Sequence, residues 1–202
     1  MPEAPEFQRL TPSLWLWQAF DPAVKAELFS TAVMEQDAFF LVDPIPLAPS
    51  AMTRLKAGRQ VAGVLVTNSN HLRQASRVAC EEDVPIYAAE PVTRQLTDAK
   101  TQTLAGGNIG VAGITAIAIE GAAEGEMVFH FPGDGGTIVV GDAVINLDPY
   151  GFSLLPAKYC ADQKLMRRSL RQLLDFSFAR FLFAHGMPVL AGARARLEML
   201  LR

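Results

Sequence analysis

Apolar and polar positions alternate through the first part of the chain in a way that predicts strands. LWLWQAF (14–20), ELFSTAVME (27–35) and AFFLVDP (38–44) read as three of them, the last two joined at Gln36-Asp37 as a hairpin. After the proline-rich turn DPIPLAPS, Ser50 can cap a helix that runs to about Lys56 and ends at Gly58. VAGVLVT (61–67) reads as a buried strand, followed by a helix from about His71 to Glu82 and a short strand at 85–89. Residues 106–149 are glycine-punctuated and show no helical period, which predicts a β-meander of three or four strands. The C-terminal part returns to helix (161–176), strand (178–184) and a last helix (190–202). Two blocks of strands, each followed by helix and strand in turn, predict an α/β (α+β) fold of two sheets packed face to face with helices outside.

Composition narrows this picture. Half of the 202 residues are hydrophobic, enough to bury a core, and a single domain over 1–202 is expected, with residues 1–12 as a loose N-terminal arm. The formal net charge is −3 and no run of like charge exceeds Glu81-Glu82-Asp83, so no nucleic-acid partner is expected. Apolar runs such as IAIEGAA and FARFLFA stop far short of the roughly 20 residues a membrane span needs. The N-terminus has glutamates and prolines where a secretory signal would have a basic segment and an apolar run, so the expectation is a cytoplasmic protein without a membrane partner. Cys80 and Cys160 lack CxxC spacing and are expected to be buried free thiols. Trp15 and Trp17 should share one strand face while Phe39 and Phe40 point to opposite sides. Core packing is the commoner fate of such aromatics, and exposure at a sheet edge would make a homodimer contact.

Candidate chemistry lies at the punctuation points, which follow one another as Val42-Asp43-Pro44, Thr67 to Arg73, Phe131-Pro132-Gly133-Asp134-Gly135-Gly136, Gly141-Asp142 and His185-Gly186. This succession resembles the metallo-β-lactamase fold superfamily, whose members show an early Asp, a THxHxDH loop, a PGHxxG turn, a GD pair and a late His. The resemblance runs from about Leu14 to Leu201. It implies a four-layer αβ/βα sandwich of two mixed β-sheets with helices on the outer faces and a metal site at one edge. It also sets Asn68 and Asn70 at the first two histidines of the loop, Leu72 at its aspartate and Arg73 at its last histidine. Asp134 falls at the PGH histidine, Asp142 at the bridging aspartate and His185 at the final histidine.

Such a ligand set is poor for two metals. Zinc and its neighbours need imidazole, carboxylate or thiolate donors converging at about 2.0–2.3 Å. Asparagine offers a weak carbonyl oxygen, leucine nothing, and arginine a permanent cation. His71 falls between the second histidine and the aspartate and is expected to point away, unless the loop slips by one residue. Arg73, turned inward, would hold Asp134 or Asp142 in place of a metal; turned outward, it is a solvated helix residue. His185 reads as a surviving ligand, a general base, or a histidine hydrogen-bonded at a strand end. Asp142 could equally cap its turn, and Asp43 either orients neighbouring groups or only shapes the DP turn. His130, alternating with Phe129 and Phe131, is expected to face solvent.

No GxSxG elbow and no phosphate loop is present, and a Ser69–His185–Asp142 triad has nothing beyond residue type behind it. The resulting reading is a metallo-β-lactamase-like domain without a cofactor. Its dinuclear site is degraded to a polar pocket of Asn68, Asn70, Arg73, Asp134, Asp142 and His185, which binds a small-molecule ligand and is non-catalytic. The alternative is a hydrolase of ester, thioester or lactone-type bonds with one divalent ion (Mn, Mg or Zn) on Asp134, Asp142, His185 and a turned-in His71.

Overall fold

The structure is a computed structural model that describes residues 1–202. Its first sheet orders seven strands as they occur in the chain: β1 (Gln8–Thr11), β2 (Leu14–Asp21), β3 (Ala26–Glu35), β4 (Ala38–Val42), β5 (Val61–Leu65), β6 (Ile86–Ala89) and β7 (Thr101–Leu104). β1 to β4 are antiparallel, as the hairpin signals require, and β4 to β7 are parallel. Parallel neighbours need crossovers. These are α1 (Pro49–Lys56), α2 (Ala75–Glu82) and the single turn α3 (Glu90–Thr93).

The second sheet contains β8 (Gly107–Asn108), β9 (Thr115–Ala118), β10 (Met127–Phe131), β11 (Thr137–Val140) and, parallel to β11, β14 (Arg180–Phe183). Between β11 and β14 the chain makes a separate hairpin, β12 (Val144–Leu147) and β13 (Gly151–Leu154), and then α4 (Gln163–Ser169). The last element is α5 (Ala193–Leu200).

Strand alternation sorts the core into three layers. Trp15, Trp17, Phe39, Leu41, Val64 and Val66 pack under α1 and α2 on the outer face of the first sheet. Leu14, Leu16, Phe40, Leu65, Phe129 and Leu182 fill the space between the sheets. Val128, Ile138, Phe181 and Phe183 pack under α4 and α5. The strands are therefore apolar on both faces, which is why many read as continuous hydrophobic runs. The architecture is the expected αβ/βα sandwich, and the two tryptophans are core residues on one face; Trp17 Nε1 donates to the Ile45 carbonyl.

Local expectations shift in several places. The first twelve residues are not a loose arm, because β1 pairs with β2 and Ala4 is fully buried in a bridge to Leu47. Pro49 begins α1 where Ser50 was expected to cap it. The helix expected from His71 begins only at Ala75, after a 3₁₀ turn over Ser69–His71 and a left-handed Arg73. The helix expected over 161–176 is α4 continued by a 3₁₀ segment, Leu170–Asp175. His130 is buried, its Nε2 3.0 Å from the Ser177 carbonyl. Cys80 is exposed and Cys160 half-buried, so both are free but neither is a core thiol. No helix is long and apolar enough to cross a membrane.

Candidate metal centre

The parallel strands β4, β5, β11 and β14 all release the chain at one end of the sandwich, followed respectively by Asp43, Thr67 to Arg73, Asp142 and His185. β10 runs antiparallel to β11, so Glu126, just before it, arrives at the same end. Backbone bonds close the seam between the sheets there: Phe29 N donates to the Ala184 carbonyl and Met127 N to the Thr67 carbonyl.

His71 stands at the centre, contrary to its expected outward direction. Asn68 caps the 3₁₀ turn through its Oδ1, which accepts from Asn70 N, and this turn swings His71 into the seam. Asp43 accepts from Thr67 N at 2.9 Å and from Thr67 Oγ1 at 2.6 Å. The Thr67 hydroxyl proton is thereby spent on the carboxylate, so Thr67 Oγ1, 2.8 Å from His71 Nδ1, must accept from it. Nδ1 carries the hydrogen and leaves the His71 Nε2 lone pair facing inward. His185 is held in the same sense, because its Nδ1 lies 3.2 Å from the Glu27 carbonyl, which can only accept.

Three lone-pair donors therefore converge. His71 Nε2 lies 3.3 Å from His185 Nε2, and Asp142 Oδ1 lies 3.4 Å from the first and 3.5 Å from the second. A tetrahedral ion with ligands at about 2.0–2.1 Å spaces its donors roughly 3.4 Å apart, so this triangle fits one divalent cation. The Asp43 contact behind His71 is the orienting carboxylate that a ligating imidazole ordinarily has. Beside this triangle, Asn68 and Asn70 present amide N–H groups to Asp142 Oδ2, each at 3.1 Å.

Electrostatics show what balances the triangle when a proton takes the cation's place. Burial opposes a charge on His71, yet attraction from Asp142 and Asp43 outweighs burial and Arg73, and its pKa is pushed up to about 9. Burial and the neighbouring His71 cation push His185 down to about 4. Burial, followed by repulsion from Asp142, raises Glu126 to about 8. Burial also works against ionised Asp142, but His71 and His185 hold it below the usual carboxylate range. One carboxylate of the pair is thus ionised and the other protonated.

The structure does not gather all the residues that the sequence singled out. Asn68, Asn70, Asp142 and His185 meet as described. Arg73 is turned inward but holds neither Asp134 nor Asp142; its guanidinium donates to the backbone carbonyls of Phe29, Asp43 and Ala184, tying β3, the end of β4 and the end of β14 together. Asp134 is absent from the site. It precedes β11 whereas Asp142 follows it, so the strand separates them, and Asp134 pairs instead with Arg180 and Ser13 at the far end. The turn that keeps the PGHxxG glycine spacing at the correct end is Glu120–Gly125, with Ala122 at the histidine position. Ser69 Oγ has no hydrogen-bond partner, so no serine triad forms. Sequence reasoning passed over Glu126, a buried carboxylate that accepts from Asn68 Nδ2 at 2.6 Å and from Ala143 N. Its only signal was its place between that turn and the strand.

The family model of the metallo-beta-lactamase superfamily matches residues 8–202. No curated protein sequence matches the chain. Among solved structures, the DIM-1 metallo-beta-lactamase is similar with a TM-score of 0.74 at 16% identity, over 98% of both chains. A metallo-beta-lactamase from Erythrobacter litoralis, with beta mercaptoethanol in its active site, superposes with a TM-score of 0.71 at 14% identity, over 96% of this chain and 95% of that one. FIM-1 from Pseudomonas aeruginosa, in its mono-zinc form, gives 0.72 at 14% identity over 98% of this chain and 95% of that one. At such identities the likeness is one of fold.

Proposed function

This chain belongs to the metallo-beta-lactamase superfamily, and from that premise we propose that it is a one-metal member, with a single divalent cation on His71, Asp142 and His185 serving hydrolysis of an ester, thioester or lactone-type bond. The observation that carries the reading is the forced tautomer of both histidines. With each Nδ1 spent on an oxygen, two imidazole lone pairs and a carboxylate oxygen face one another within 3.5 Å, an arrangement that calls for a cation between them. Two imidazoles and one carboxylate form a borderline donor set that suits zinc better than the manganese or magnesium that an all-carboxylate set would favour. FIM-1 in its mono-zinc form is an instance of this fold holding one zinc.

A cation held there supplies Lewis-acid polarisation of a carbonyl and activation of water. The chain's own groups supply the rest. Asp43 and Thr67 fix the His71 ring, the Glu27 carbonyl fixes His185, and the two asparagine amides hold the Asp142 carboxylate in line. Arg73 keeps the two sheets in register behind the histidines. Asn70 is exposed and His185 partly so, which leaves an approach from solvent.

A metal-free ligand pocket is the second reading. It is favoured by the way a proton on His71 satisfies the cluster while Asn68 and Asn70 satisfy its carboxylates. Calorimetric titration of chelator-treated protein with zinc separates the two. One ion per chain, lost in both His71→Ala and Asp142→Ala, supports the metal site; no binding, or two ions per chain, overturns it.

A further inference from the structure

The whole-chain charge of −3 conceals a strong separation. Residues 158–202 carry nine Lys or Arg against three Asp or Glu, a net of +6, whereas residues 1–157 carry nine against eighteen, a net of −9. Apart from β14, which is a strand of the second sheet, the basic segment supplies the helices on that sheet's outer face. α4 and the 3₁₀ segment Leu170–Asp175 run on as one rod of roughly 20 Å. α5 lies alongside it, joined by hydrogen bonds from Arg171 to the Leu201 carbonyl and from Arg194 to the Leu174 carbonyl. Lys164, Arg167, Arg168 and Arg171 recur at helical spacing along the rod, and Arg194 and Arg196 stand on α5.

None of these six cations has a carboxylate within 4.0 Å. The carboxylates nearest in the chain or across the layer are Asp162, Asp175, Glu198 and Glu120. On the opposite helical layer the acids are compensated: Glu81 by Arg77, Glu82 by Lys56, Asp83 by Lys100 and Glu90 by Arg94.

We propose that this arginine-rich face binds the phosphate backbone of a nucleic-acid duplex without reading its sequence. Guanidinium groups pair bidentately with phosphate oxygens and outnumber lysine on this face. Insertion into a membrane surface would need bulky apolar residues among the cations, and α5 exposes only Met199 in that role. Single strands are held by stacking on aromatic side chains, and α4 and α5 carry none.

The test is fluorescence anisotropy of a labelled 24-base-pair DNA duplex of arbitrary sequence, titrated with the full chain at several salt concentrations. Binding should weaken with salt along a log–log slope of about −5, close to one unit per phosphate neutralised. The side chains of Arg168 and Arg196 make no hydrogen bond inside the fold. Arg168→Glu with Arg196→Glu should therefore lower affinity at least about ten-fold and flatten the slope by about two. Arg77→Glu with Arg94→Glu, on the opposite layer, should change little. Circular dichroism and thermal melting verify that both double variants are folded, and Arg168→Gln with Arg196→Gln replaces the reversal if it is not. No salt-dependent binding, equal loss in both double variants, preference for the single strand, or binding to phosphatidylglycerol vesicles but not the duplex would each overturn the proposal.

Discussion

Replacing Arg73 by alanine tests the seam on which the candidate site is built. The guanidinium donates to three carbonyls that belong to β3, the end of β4 and the end of β14. The bond to Phe29 is short, that to Asp43 is of ordinary length at 2.9 Å, and the third, to Ala184, is long at 3.4 Å. The Asp43 carbonyl keeps a bond from Ser30 Oγ and the Ala184 carbonyl keeps one from Phe29 N, so Phe29 O loses most. Charge-assisted bonds contribute about 1.5–3 kcal/mol each, and removing one member of a buried charge group typically costs about 3–5 kcal/mol. Asp43 and Asp142 would lose the cation that lies among them. We therefore expect Arg73→Ala to lose about 3–5 kcal/mol in urea unfolding, followed by far-UV circular dichroism. Arg73→Lys keeps the charge but not the planar fork, and should recover part of the loss. A loss below about 1 kcal/mol in Arg73→Ala would refute the reasoning, and so would a lysine variant no better than alanine, since both would mean that Arg73 is a passenger in the seam.

Further expectations concern pH, backbone approach and the two aspartates. His71 and Glu126 both have folded pKa values raised above their unfolded ones, so the stability they contribute is present at low pH and declines as pH rises. For Glu126 the decline runs from its ordinary value to about 8, and for His71 from about 6.5 to about 9. Metal-free protein should melt at progressively lower temperature from pH 6.5 to 9 in a scanning-fluorimetry series, and a flat or rising profile would contradict the assignment. Gly141→Ala should be strongly destabilising and should weaken zinc binding, because a Cβ there would sit 2.6 Å from Thr67 Oγ1, 2.7 Å from Asn68 Nδ2 and 2.9 Å from Glu126 Oε1; an unchanged melting temperature would show that these groups have room to move. Asp134→Ala should leave zinc binding unchanged where Asp142→Ala abolishes it, and equal effects in calorimetry would mean that the far-end placement of Asp134 is wrong.

Periodicity, which is a local property, was enough to determine most of the longer elements and their layering, while β1, β7 and the single turn α3 went unread. Strand-length apolar runs, the hairpin at Gln36-Asp37 and the alternation of Trp15 and Trp17 with Leu14 and Leu16 follow from which side chains must leave water, whatever the loops do. The order of the punctuation points, from Asp43 through Gly141-Asp142 to His185, carried the family as well. What the sequence could not determine was the direction of single side chains in the turns. His71 faces inward because a 3₁₀ turn and a left-handed Arg73 rotate it by a fraction of a helical turn, and no spacing rule encodes that. Asp134 and Asp142 look equivalent in a motif, yet Thr137–Val140 separates them by roughly 13 Å of extended chain. Glu126 is chemically prominent only because antiparallel pairing returns it beside Asp142, and Arg73 gains its carbonyl partners only once two sheets meet edge to edge. The elements were legible because burial acts residue by residue along the chain. The site was decided by tertiary structure because its residues come from five separate segments whose convergence is a property of packing.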